Sequence, residues 1–340
     1  MNSTSNTDTI RRAIAPTVEE CTSRFNLGPK CNLLMDMMES LEELLKQTWT
    51  IWGVSCLFGF QSDELQLKLY AKRLREEVAA ILPHDNATYN ASFAITESIV
   101  TRPRHDDYPP LKIELFSQTT NEKSKERTIY SGVFISWRTT LNESRSDNTT
   151  KLPLLLCRGT KSAMNAVHTV VSQMFDCQIV PMSATEDELE WLVPMMLSSI
   201  DDEQKEYDKH QIRLEYRIPG LPATDTISVD FEISALSKLW NVISECKKDE
   251  DDNRQFVKAE HVLKFHETIK SQMFSEGGFH LGLCILSKIS FPFFTMMDNR
   301  MKASTPYALH RFLLFFNDRS LKVLHTLDYD TTNTVVSETT

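Results

Sequence analysis

The stretch "LPLLLCRGTKSAMNAV", residues 152–167, decides what kind of fold the chain can have. A short apolar run ends at Cys157, then come Gly159, Thr160, Lys161 and Ser162, and then a helical pattern. Strand, glycine turn, Lys-Ser, helix is the order of a phosphate-binding loop. That loop needs two glycines around a four-residue span directly ahead of Lys-Ser/Thr, so that successive backbone N–H groups wrap the phosphates. Here Lys161 follows Gly159 by two residues, and no earlier glycine is within reach. The segment reads instead as a scaffold connection, with Gly159 taking a tight backbone angle and Thr160 or Ser162 capping the helix. It predicts a strand at Leu152–Leu156, a helix at Lys161–Phe175 and a further strand in "CQIVPM", residues 177–182.

Upstream, residues 1–28 lack periodicity and are expected to be a disordered tail. From Asn32, Leu34, Met37, Met38, Leu41, Leu44 and Leu45 recur at helical steps. "TWTIWGVSCLFGF" (Thr48–Phe60) is aromatic and β-branched and reads as a strand. Ser62 then predicts an N-cap for a helix running to Leu82, with Leu67, Tyr70, Leu74, Val78 and Ile81 on its inner stripe. Strands are expected in "ASFAITESIV" (91–100), in "LKIELF" (111–116) with Leu111, Ile113 and Leu115 on one face, and in "TIYSGVFISW" (128–137).

Downstream, Thr185 and Glu188 form a capping-box pattern, and Pro194 should kink or end the helix that follows. Ile212, Leu214, Tyr216 and Ile218 alternate with polar residues, as do Ile227, Val229, Phe231 and Ile233, so one face is covered and one is wet. Helices are expected at Ser234–Cys246 and Arg254–Phe274, and strand material in residues 277–297. "YALHRFLLFF" (307–316) and "LKVLHTL" (321–327) carry no clear assignment. The pattern predicts an α+β fold, a mostly antiparallel twisted sheet with helices packed on one face. Its expected divisions are a tail at 1–28, an N-terminal half at 29–200, a C-terminal half at 201–330 and a tail at 331–340.

The chain has 340 residues, 41% hydrophobic and 25% charged, which is ordinary globular composition. No apolar run approaches the ~20 residues of a membrane span, and the N-terminus has no signal-peptide core. A soluble intracellular protein is expected. Seven cysteines, an odd count with no C-x-x-C, argue against a disulfide framework or zinc ribbon. The net charge of −10 lies wholly in the second half, which holds 17 basic and 27 acidic side chains. Much of it sits in "DDEQKEYD" (201–208) and "DEDD" (249–252), runs expected to be solvated loops. A protein that coats DNA generally is excluded; a local basic groove is not.

Catalytic signatures are missing. There is no G-x-S-x-G. His261 and His266 lie five apart on one predicted helix, where metal pairing prefers three or four, and His266 falls on the apolar stripe as a core residue. No catalytic, metal or cofactor site is assigned. The aromatic runs "FPFFTMM" (291–297) and "FLLFF" (312–316) suit either a core or a surface buried by a partner.

Two blocks together resemble a known family. "LLKQTWTIWGVSCLFGF" (Leu44–Phe60) is similar to a landmark of the centromere protein L family. Leu152, Pro153, Leu154, Gly159, Phe175, Asp176 and Cys177 match a second one. The order continues through Trp191, the strand pair at Ile212–Ile233 and Leu239–Trp240. An expected aromatic ahead of Phe175 is Val170 here, and the acidic insert Asp249–Asp252 is not family-like.

The resemblance implies a non-enzymatic inner-kinetochore subunit in the nucleus, at centromeres. It implies pairing with centromere protein N through C-terminal β structure, contacts with centromere protein C and other inner-kinetochore subunits, and a mostly indirect approach to the centromeric nucleosome and its DNA; no membrane is implied. Sheet-to-sheet association is the expected mode, with Phe279, Leu281, Leu283, Ile289, Phe291 and Phe293 as partner-binding residues. Arg213 and Arg217 on the polar strand face, and Arg102 and Arg104 in a loop, are the DNA-proximal candidates. The competing readings are a transferase-like enzyme with an anion cradle at the Gly159 turn, and a homodimeric scaffold.

Overall fold

A computed structural model of the chain describes residues 41–82, 87–96, 108–119, 126–137, 148–198, 210–222, 224–245 and 258–324. In chain order these hold β1 (Thr48–Val54), β2 (Leu57–Phe58), α1 (Glu64–Ile81), β3 (Ala87–Ile95), β4 (Leu111–Thr119), β5 (Arg127–Ile135), β6 (Thr149–Thr150) and β7 (Leu154–Gly159). Next are α2 (Lys161–Phe175), β8 (Ile179–Pro181), α3 (Glu186–Leu197), β9 (Gln211–Arg217), β10 (Thr226–Glu232), α4 (Ile233–Glu245) and α5 (Ala259–Gly277). The chain closes with β11 (Ile285–Ser290), β12 (Phe294–Met297), β13 (Arg300–Ala303) and α6 (Pro306–Leu324). Short 3-10 turns lie at Glu42–Leu44 and Leu281–Leu283. The expected tails at 1–28 and 331–340, and the helical pattern at 32–40, lie outside the described residues.

The described residues form two compact units. One is built from residues up to 184 together with 293–324, the other from 185–292. The boundary expected near residue 200 therefore falls at Thr185, and the last strands and helix return to the first unit.

In the first unit an antiparallel sheet runs in the order β12-β13-β1-β7-β5-β4-β3, with β8 also pairing with β1. The order follows from apolar content. The first four residues of β7, Leu154–Cys157, are all buried. Such a strand needs cover on both faces and so sits centrally. Leu155 and Cys157 share a core with Tyr130 and Phe134 of β5 and with Ala163, Val167 and Phe175 of α2. Leu154 and Leu156 turn the other way, opposite Gly53 and Ile51 of β1. Each such leucine contributes about 1.5–3 kcal/mol by burial. A Cβ added to Gly53 would meet Leu324 and Ser320, which puts α6 on that second face. Here, then, helices flank both faces and not one.

Helix α1 starts one residue later than the sequence suggests. Asp63, and not Ser62, is the N-cap, its carboxylate accepting from the Gln66 N–H at 3.0 Å. Leu67, Leu74 and Val78 are buried as expected, but Ile81, in the last turn, is 45% exposed. The unassigned C-terminal stretch is the single helix α6. Its Asn317 Oδ1 accepts from the Trp137 N–H (2.9 Å) and its Ser320 hydroxyl donates to the Pro153 carbonyl, both in buried surroundings.

In the second unit β9 is central in a three-stranded antiparallel ladder, β10-β9-β11. Ile212, Leu214 and Tyr216 are buried on one face, where α3, α4 and α5 supply Leu192, Leu236, Trp240, Phe265 and Ile269 as core. The alternate residues Gln211, Arg213 and Arg217 are exposed. This half matches the one-sided arrangement read from the alternation.

Helix α3 has the capping box that Thr185 and Glu188 predict, with the Thr185 side chain accepting from Glu188 N–H and Glu188 Oε2 accepting from Thr185 N–H (2.8 Å). Pro194 does not end it. The helix continues three residues further, to Leu197. Proline lacks the N–H that would serve the carbonyl of Glu190. That carbonyl accepts instead from His266 Nε2 of α5, at 2.8 Å. One turn on, Lys270 Nζ pairs with Glu190 Oε1 at 2.8 Å. Two side chains four apart on α5 thus bridge the gap in α3.

Candidate functional site

The Gly159 turn is built as a connection. Gly159 has φ 153°, and a Cβ there would run into the Ile129 carbonyl oxygen, so both the backbone angle and the close approach require glycine. The Thr160 N–H donates to that same carbonyl (3.1 Å), and Thr160 Oγ1 accepts from the Ala163 N–H (3.3 Å). The first donors of α2 are therefore partly served from within the chain. The turn does not wrap an anion in the manner of a phosphate loop.

Behind it lies a buried group of titratable side chains. His168 on α2 packs edge-on against Trp52 (4.5 Å between ring centroids) and lies 3.4 Å from the Tyr130 hydroxyl. Burial lowers the His168 pKa to about 4 and raises the Cys157 thiol to about 12. A thiol so held is inert as a nucleophile. In the second unit His266 is likewise held neutral by burial, and Glu186, partly buried beside Glu190, is raised. Glu186 Oε1 accepts from the Leu286 N–H (3.2 Å), tying α3 to β11. These groups face one another or the backbone. Among the described residues no cluster of three or more His, Cys, Asp or Glu could hold a metal ion.

The residues expected to bind a partner separate by exposure. Leu281, Ile289, Phe291 and Phe293 are 1%, 0%, 4% and 2% exposed and belong to the chain's own core. Phe279 and Leu283 are 50% and 73% exposed. Alternation alone could not make this division, because the 3-10 turn at Leu281–Leu283 and a register shift between Leu286 and Lys288 break the period. The structure adds two residues the sequence reading missed. Phe274, at the end of α5, is 50% exposed and lies with its ring 4.0 Å from that of His280. Ile285, at the start of β11, is 37% exposed. Four large apolar side chains thus stand in water along one connection, from α5 to β11.

Of the DNA-proximal candidates, Arg102 and Arg104 lie outside the described residues. Arg213 is held by Asp230 across β9 and β10 in a two-bonded pair, Nε to Oδ1 at 2.8 Å and Nη2 to Oδ2 at 3.0 Å. That contact keeps the Asp230 carboxyl below its usual range. Lys288 pairs with Glu215 at 2.6 Å on the neighbouring register. Arg217 is exposed at the end of β9. The polar face of this sheet is therefore charge-paired and not simply basic.

An antiparallel α+β chain thus carries a line of exposed phenylalanines and aliphatics between α5 and β11. The family model for centromere protein L matches residues 43–334, and the chain belongs to the centromere protein L family. It is 26% identical to centromere protein L of Gallus gallus over 274 residues, covering 78% of this chain and 75% of the relative. It is 20% identical to those of Mus musculus (77% and 79% covered) and Homo sapiens (77% and 75%).

Proposed function

We propose that the chain is a non-catalytic structural subunit of the inner kinetochore in the nucleus, and that it pairs with centromere protein N. Membership of the centromere protein L family supports the setting. The exposed line Phe274, Phe279, Leu283 and Ile285 supports the pairing. A monomer gains nothing by holding two phenylalanines and two aliphatics in water, and partner surfaces are enriched in such side chains. In this reading the four residues are the apolar centre of the contact, and the charged faces of β9 and α5 are its rim. Contacts with centromere protein C, neighbouring subunits and the centromeric nucleosome follow from this pairing, with DNA approached mostly through the assembly.

The test is to purify the full chain with and without centromere protein N and measure mass by light scattering. A one-to-one complex is expected, lost in Phe279→Ser/Leu283→Ser, while both proteins stay folded by circular dichroism. A double variant that still forms the complex removes this surface from the reading. A chain that stays monomeric beside the partner removes the pairing itself.

A further inference from the structure

The connection from α5 to β11 stands in water, yet its backbone is braced. Gly278 ends α5 in the left-handed conformation (φ 69°) that favours glycine, and the Phe279 N–H reaches back to the Met273 carbonyl at 3.2 Å. The Phe274 ring leans on that of His280, and Leu281, buried, plugs the 3-10 turn into the core. The N–H groups of Leu283 and Cys284 donate to the carbonyls of His280 and Leu281, at 3.1 and 3.0 Å. Phe279 and Leu283 are thus presented on a fixed frame. No aspartate, glutamate, lysine or arginine occurs from Gly277 to Leu286, so the frame offers apolar contact and not charge. Gly277 is the part of it that the backbone does not explain. It is the last residue of α5, its φ is not positive, and Gly278 already supplies the left-handed cap one step on. At a helical position glycine is less favourable than alanine. The core does not forbid a side chain there either. A Cβ on Gly277 would meet Cδ2 and Cε2 of the Phe279 ring, at 2.9 and 3.3 Å.

We propose that Gly277 is a positioning residue: its bare Cα seats the Phe279 ring in the free chain in the pose in which an apolar pocket of the partner receives it. This rests on the pairing with centromere protein N proposed above. A ring already seated need not be ordered on binding, and that saves affinity. An alanine methyl at 277 would push the ring aside. The ring is half-exposed and can swing outward, so the fold loses little by the move. Helix α5 meanwhile gains a better helix former in its last turn. Stability and affinity should therefore part company, which a glycine kept only for the fold would not produce.

The test measures affinity of the full chain for centromere protein N by titration calorimetry, beside thermal melting of the chain alone. Gly277→Ala should weaken the complex about three- to tenfold, the cost of ordering one side chain on binding. It should melt at the parent temperature or slightly above. Phe279→Ala should weaken the complex about tenfold or more, and adding Gly277→Ala to it should cost nothing further, because the glycine acts only through the ring. In the free chain the ring current of Phe279 should shift the Gly277 Hα resonances upfield, a shift lost in Phe279→Ala. Parent affinity in Gly277→Ala, a melting point that falls along with affinity, additive losses in the double variant, or an unshifted Gly277 each overturn the role and leave the pairing standing. A chain that dimerises alone and is parted by Phe279→Ala also overturns it, since a second copy then receives the ring. A parent chain that never binds centromere protein N removes the pairing, and this role with it.

Discussion

His266 Nε2 lies 2.8 Å from the carbonyl oxygen of Glu190, the carbonyl that Pro194 cannot serve. A carbonyl only accepts, so Nε2 carries the proton, and Nδ1 is buried with no hydrogen-bond partner among the described residues. The ring replaces a missing backbone bond from the neighbouring helix. His266→Ala should cost about 2–4 kcal/mol, from a lost hydrogen bond, an orphaned carbonyl and a cavity. Pro194→Ala restores the backbone N–H and should recover a good part of that loss in the double variant. Urea denaturation of the four-membered cycle measures the coupling; additive effects would refute it.

Stability should fall as the medium is acidified from pH 6.5 toward 4. Burial holds His168 at about 4, below the usual 6.5, and lowers His266 as well. Both bind a proton more readily when unfolded, so their contribution is complete above pH 6.5 and is lost as pH drops through that window. For His168 the loss amounts to a few kcal/mol. Urea midpoints taken at intervals from pH 7.5 to 4.5 should decline, and His168→Asn should flatten the slope. A midpoint independent of pH contradicts the assignment.

Gly159→Ala should destabilise the first unit by roughly 2 kcal/mol or more, since both the left-handed backbone angle and the approach to Ile129 are denied to a side chain. Circular dichroism melting reads the effect. A melting point within a degree of the parent would show that the turn relaxes freely.

Arg213→Gln should change stability by less than about 1 kcal/mol, because the pair with Asp230 is solvent-exposed. With the assembled partner on DNA, the same substitution should leave the salt slope of binding nearly unchanged, the guanidinium being already engaged. Arg217→Gln, on the same face but at the strand end, is expected to lower the slope by about one. A large loss from Arg213→Gln would mean that Asp230 yields its arginine to phosphate.

Several elements were legible because one local rule governs each. The alternation Ile212-Leu214-Tyr216 became a half-buried strand, the Thr185/Glu188 box became a cap, and Lys161–Phe175 became a helix with those bounds. Where two rules compete, reading failed. Pro194 is a helix breaker by itself, and only His266, 72 residues away, explains why α3 survives it. The helix α6 was hidden because Asn317, Asp318, Arg319 and Ser320 interrupt its apolar pattern, although Asn317 and Ser320 are buried and bonded to Trp137 and Pro153. Four of six expected partner residues proved to be core because length and aromaticity are alike in cores and interfaces, and only exposure separates them.

Strand β1 lies between β7 and β13, so Trp49 faces Met301 across a ladder joining the two ends of the described chain. On the ribosome, β1 emerges long before the strand that must flank it. Until residues 300–303 have left the exit tunnel, the Thr48–Thr50 end of β1 lacks its partner on the side where β8 covers only Trp52–Val54, although residues 185–292, a compact unit of their own, have already emerged. A premature stop codon anywhere before Arg300 should thus spoil the earliest-made sheet along with the missing end, and favour degradation of the nascent product over a partly working fragment.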